Sequence, residues 1–133
     1  HACHVRLIWC REFGAEGQPH YHIAILVNRD AYSVLGRIAG QPEPDCPWWL
    51  EEEQAVANMA ERIQRAWCSA LGLTKGQGVG LVHFPRNAVQ LISKESPMFA
   101  EQYKEVFKRL SYLAKVETKL YEDGHRNFGY SHD

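Results

Sequence analysis

The residue pattern predicts an α+β domain, an antiparallel sheet with helices packed on it, and three observations carry that expectation. Two strand-forming segments near the N-terminus flank a short loop rich in glycine and proline, the signature of a hairpin. Two later stretches repeat apolar residues at helical spacing. The resulting order, β-β-α-α-β-α-β, lacks the regular strand–helix alternation that a parallel sheet requires.

The first elements are "VRLIWCREF" (5–13) and "HYHIAILVN" (20–28), rich in the branched and aromatic residues that suit a pleated surface. "GAEGQP" between them is turn chemistry. "NRDAYSVLGRIAG" opens on Asn28 or Asp30, either able to cap a helix, and closes on Gly40, so a short helix is expected. "QPEPDCP" places three prolines in seven residues and is a loop. From Trp48 to Leu71, the residues Leu50, Ala57, Met59, Ile63, Ala66 and Trp67 mark a long amphipathic helix closed by Gly72. "GLVHF" reads as the next strand of that order, and "AVQLI" is a weaker candidate for another. Ser96 and Pro97 open a second long helix, "SPMFAEQYKEVFKRLSYLAKVETKL", with Tyr103, Phe107, Leu110, Leu113 and Ala114 as its core stripe. "RNFGYS" supplies an edge strand.

Composition narrows the function classes. A chain of 133 residues suits one domain, 1–133, with 45% hydrophobic and 23% charged residues typical of a soluble globular protein. No apolar run approaches the roughly 20 residues of a membrane span. A formal net charge of -1 excludes a global basic field, so any polyanion site is a local patch. Cys3, Cys10, Cys46 and Cys68 show no CxxC spacing, which reads as reduced thiols in a cytoplasmic setting. Strand pattern begins almost at His1 with no cap or turn before it, so the chain is expected to be a fragment of a longer protein.

The hairpin concentrates the chemistry. Side chains alternate along a strand, so His20 and His22 share one face and Tyr21 takes the other. Folding the hairpin about Glu16 makes Glu12 the cross-strand neighbour of His20 and Cys10 that of His22, with Cβ atoms about 4.5–5.5 Å apart. Two imidazoles and a carboxylate with open positions beyond them describe a catalytic metal site rather than a closed structural one. A one-residue slip of register would remove Glu12 from that face. Cys10 in place of Glu12 would favour Zn²⁺, although a strand cysteine is more often a small buried hydrophobe.

The late helix offers a nucleophile. Tyr112 lies nine residues after Tyr103, about half a turn round the helix, on the side of Lys108, Lys115 and Lys119. A phenol among ammonium groups suits attack at phosphorus, with Lys115 one turn on to steady the charge. A surface aromatic on an ordinary amphipathic helix is the competing reading of Tyr112 alone. Trp48 could stack on bases, and Arg86, Asn87, Arg126 and Asn127 could meet phosphates.

These residues resemble a known family. "PHYHIAILVN" is similar to the HUH motif of replication-initiator and relaxase endonucleases, and "YLAK" to the Tyr-x-x-Lys motif of their single-tyrosine members. Taken in order, "IWCRE", "PHYHIAILVN", "GLVHFP", "SYLAKVETK" and "RNFGYS" resemble the YagK/YfjJ C-terminal family, which includes inovirus-type replication proteins.

The resemblance implies a ferredoxin-like, Rep-type HUH endonuclease fold and a metal-dependent nicking and joining of single-stranded DNA. Glu12, His20 and His22 would hold Mg²⁺ or Mn²⁺. Tyr112 would attack to leave a 5′-phosphotyrosine and a free 3′-hydroxyl, starting rolling-circle replication of a phage or mobile element. Lys108, Lys119, Arg126 and Trp48 are the further DNA contacts expected, the bacterial cytoplasm is the setting, and a host- or element-encoded helicase is an admissible partner. The family fold also has a strand before the metal hairpin; none matches here, so it is expected either upstream of His1 or replaced by a different topology. The competing classes are a catalytically idle DNA-binding relative and a zinc-stabilised interaction module using Cys10 or Cys3.

Overall fold

The computed structural model describes residues 3–36, 58–74 and 76–132. The chain divides into two compact units, His1–Ala31 with Gln90–Asp133, and Tyr32–Val89. Together they form an α+β architecture with β1 at Arg6–Phe13, β2 at Pro19–Leu26, α1 at Met59–Ala70, α2 at Phe99–Tyr112 and β3 at Phe128–Tyr130.

In the first unit the sheet runs β2-β1-β3, with both neighbours antiparallel to β1. The loop after Phe13 closes through the Gly14 amide donating to the Gln18 carbonyl at 3.2 Å, and Gly17 sits at φ 73°, a conformation open chiefly to glycine. That turn fixes the register: Glu12 faces His20 and Cys10 faces His22. Among the described residues only β1 has a strand on both sides, and its Cys10, Arg11 and Glu12 are the buried residues of the sheet.

On the other side β3 comes close enough for Gly129 to lie against the Trp9 indole, where an added Cβ would stand 2.7 Å from Cε2. The pairing then continues beyond β3. The Arg11 amide donates to the Asn127 carbonyl at 2.9 Å and the Phe13 amide to the Thr118 carbonyl at 3.0 Å. The Arg11 guanidinium also grips this segment, at 2.9 Å to Asn127 Oδ1 and 2.7 Å to Asp123 Oδ2. An aligned charge such as this one is tolerated in the interior because the partner anion and amide meet it there.

Helix α2 stops earlier than its apolar spacing suggests. After Tyr112 the bonds shorten to the i→i+3 type, Leu113 to Leu110 at 3.0 Å and Lys115 to Tyr112 at 3.2 Å. The expected core stripe also turns out otherwise. Tyr103 is 55% and Phe107 62% exposed, and with Phe99 they form a row of rings along the helix, centroids 6.0 and 6.3 Å apart.

The second unit carries α1, capped by Asn58, whose side chain accepts from the Glu61 amide at 2.9 Å. Gly72, at φ 67°, ends it: the Gly72 amide bonds to the Ser69 carbonyl and the Leu73 amide to the Cys68 carbonyl, a Schellman closure. The expected start at Trp48 lies outside the described residues.

Three other expected elements differ. Residues 28–31 form a turn in which Asn28 Oδ1 accepts the Asp30 amide, and the chain to Gly36 is not helical; the remainder of that predicted helix lies outside the described residues. "GLVHF" and "AVQLI" are turn and irregular chain rather than strands. Both are apolar enough, but a strand exists only where a partner completes its ladder, and neither finds one among the described residues. No helix among the described residues is long and apolar enough to cross a membrane.

Candidate active site

Glu12, His20 and His22 meet at the turn end of the hairpin, their ligand atoms all within 4.8 Å of one another. They are brought there by register alone, the central strand giving the acid and the outer strand β2 the imidazoles. Glu12 Oε2 lies 3.2 Å from His22 Nε2 and 3.8 Å from His20 Nε2. Metal bonds of about 2.0–2.2 Å place neighbouring ligand atoms roughly 3–4 Å apart, and both carboxylate–imidazole distances fall in that range, so the group could hold a divalent ion. The carboxylate is sunk at 7% exposure, whereas the imidazoles are 48% and 46% exposed, which leaves the outer side open to a substrate. Among the described residues this is the group able to hold a metal ion.

The other carboxylate oxygen, Oε1, faces inward. Lys119 Nζ stands 3.5 Å away with its side chain 2% exposed, and Cys10 Sγ donates from 3.9 Å. Thr118 Oγ1 is buried beside the carboxylate without completing a hydrogen bond of good geometry. Burial pushes the Glu12 carboxyl upward, but the Thr118 hydroxyl, His22 and Lys119 together outweigh it and hold the group below its ordinary value. The Cys10 thiol moves the opposite way, raised by burial first and by the Glu12 charge second. A thiol kept protonated is a poor ligand, so the donor set is one carboxylate and two imidazoles, without a soft thiolate.

Tyr112 ends α2 with 60% of its surface exposed. Lys115 Nζ donates to its hydroxyl at 3.1 Å and lies 4.9 Å from the ring centroid. The ammonium is held above its ordinary pKa, by the Tyr112 hydrogen bond first, with the Glu12 carboxylate among the anions that add to it. The tyrosine pair is therefore within electrostatic reach of the metal group. A non-covalent tie joins them: Lys119 Nζ, paired with Glu12, also donates to the Lys115 carbonyl.

The predicted residues thus separate. Glu12, His20 and His22 come together, and so do Tyr112 and Lys115, with the Lys115 ammonium close enough to feel the Glu12 charge. Lys108 and Arg126 are exposed. Lys119 is corrected: expected on the solvent side of a helix, it is buried as the partner of Glu12, because the helix ends at Tyr112 and the wheel no longer applies. Trp48 lies outside the described residues. Sequence reading missed Arg11 and Asp123, and Asn127, expected to meet phosphates, is instead buried with them in the clamp that holds residues 118–127 against β1. A cation in a strand otherwise headed for the interior was the signal that an acid must follow it there.

The YagK/YfjJ C-terminal domain matches residues 1–131. The chain belongs to this family. Its similarity to the uncharacterized protein YagK of Escherichia coli (strain K12) is 37% identity over 129 residues, 97% of this chain and 55% of YagK. For the uncharacterized protein YfjJ of the same organism it is 32% over 127 residues, 96% of this chain and 54% of YfjJ. The chain spans about half the length of these two relatives. No solved structure matches this YagK/YfjJ domain.

Proposed function

We propose that the domain is a metal-dependent, single-tyrosine HUH endonuclease that nicks and rejoins single-stranded DNA at a replication origin. The supporting observation is one arrangement: an open Glu12–His20–His22 group tied through Lys119 to an exposed Tyr112–Lys115 pair. A divalent ion of the Mg²⁺ or Mn²⁺ type, held by those three residues, would supply the charge that polarises a scissile phosphate. In the step proposed, a bond forms between Tyr112 Oη and phosphorus while the bond from phosphorus to the 3′ oxygen breaks. The phenolic proton passes to solvent, and the 3′ oxygen takes a proton from solvent as it leaves, giving a hydroxyl. Lys115, already on Oη, is placed to steady negative charge as it develops. Because one phosphodiester replaces another, a second 3′-hydroxyl can reverse the step and join the ends.

Covalent capture tests this directly. The domain, incubated with single-stranded DNA carrying the cognate nick site and Mn²⁺, is expected to give a denaturation-stable protein–DNA adduct. Tyr112→Phe should remove it entirely, and Lys115→Met should slow it about 10²-fold. An adduct of wild-type yield from Tyr112→Phe would refute the assignment.

A further inference from the structure

The two oxygens of Glu12 do different work, and the residue that divides them is Lys119. Oε2 faces the imidazoles at 3.2 and 3.8 Å; Oε1 faces the buried ammonium at 3.5 Å. Lys119 is itself fixed at its other side, by donation to the Lys115 carbonyl. Its side chain is 2% exposed, so this is a locked charge and not a surface lysine that happens to lie near an acid. We infer that Lys119 is a positioning residue which commits Glu12 to one-oxygen ligation through Oε2 and holds the affinity of the site for a divalent cation down.

Two physical consequences follow from that placement. With Oε1 engaged, the carboxylate cannot swing to present both oxygens to an ion, so one position that bidentate ligation would fill stays open for a phosphate oxygen. A fixed positive charge a few ångströms from the site also repels a cation, and it does so strongly because the group is shielded from solvent. The cost in affinity leaves the ion more electrophilic toward substrate, since Lys119 already draws on the carboxylate's charge. Other cations near the site differ in kind: Lys115 is engaged with the Tyr112 hydroxyl, and Arg11 with Asp123 and Asn127.

The inference rests on the metal reading of Glu12, His20 and His22, and its test does not require nicking. Mn²⁺ is titrated into the whole chain without DNA, free ion being followed by electron paramagnetic resonance. Lys119→Gln and Lys119→Met are expected to bind Mn²⁺ about tenfold more tightly than wild type. Lys119→Arg, which keeps the charge, should restore the wild-type value. The glutamine variant retains a donor for the Lys115 carbonyl and guards against a methionine variant that fails to fold, and melting of each metal-free protein reports that directly. A merely structural lysine predicts the reverse, lower stability with equal or weaker Mn²⁺ binding, and that result overturns the inference. So does an arginine variant that behaves like glutamine. If wild type binds no Mn²⁺ in a Glu12-dependent way, this inference and the metal reading fall together. If the affinities shift as stated but no DNA adduct forms, the nicking reading falls alone.

Discussion

At the scale of single residues, the acid and the imidazoles contribute unequally. Glu12 is buried with a lysine on its inner oxygen, so Glu12→Gln removes a ligand and strands the Lys119 ammonium without its counter-charge. Breaking a buried pair from one side costs about 3–5 kcal/mol, and this variant should lose both Mn²⁺ binding and thermal stability. The half-exposed imidazoles are different. His22→Ala and His20→Ala should weaken Mn²⁺ binding with little change in melting, His22 more so because its nitrogen lies nearer Glu12 Oε2. Calorimetric titration beside a melting curve separates the two classes. The convergence of the three side chains was legible in the sequence because a hairpin's register follows from its turn, and Glu16 lies midway between Glu12 and His20. Lys119 was not legible, since its meaning depends on where α2 stops, and no residue after Tyr112 signals the stop.

At the scale of elements, the sheet depends on how closely its third strand approaches. Gly129→Ala would drive a methyl group into the Trp9 indole and is expected to destabilise the first unit by about 1–3 kcal/mol, read from denaturant unfolding. In the second unit Asn58→Ala removes the cap of α1 and should cost about 1 kcal/mol. The closing glycine of α1 was readable in advance, since Gly72 ends the helix as its chemistry requires, whereas the Asn58 cap was not. The failures are instructive in a consistent way. "GLVHF" has strand composition yet stays irregular, because composition sets what a segment tolerates and a ladder partner sets what it becomes. Tyr103 and Phe107 keep helical spacing, and that spacing names a shared face without saying what lies opposite it.

At the scale of the whole molecule, the long reach from β1 to residues 118–127 makes the first unit depend on acid conditions. The Asp123 carboxyl is held below its ordinary value, by the Arg11 hydrogen bond first and the His125 amide second. A depressed folded-state pKa gives stability that is complete above the unfolded value of about 3.9 and is lost as pH falls through the folded one. Melting temperature should therefore fall below about pH 4 from this source and stay level between about pH 5 and 8. Asp123→Asn should flatten the acid limb, which circular dichroism melts across that range will show. The α+β class was recoverable from the order of patterned segments, whereas the division at Ala31/Tyr32 and Val89/Gln90 was not, because no change of composition marks those joints.

The uneven depth of the metal donors sets a clock as well as a geometry. An ion seated there would be gripped from beneath by a sunken oxygen and screened above by two rings almost half in water. Entry and escape would need no opening of the protein. If the domain nicks DNA as proposed, a chelator added during turnover should halt the reaction within mixing time, and replenished ion should restart it as promptly, so that rapid-quench sampling would catch the linked protein–DNA species midway.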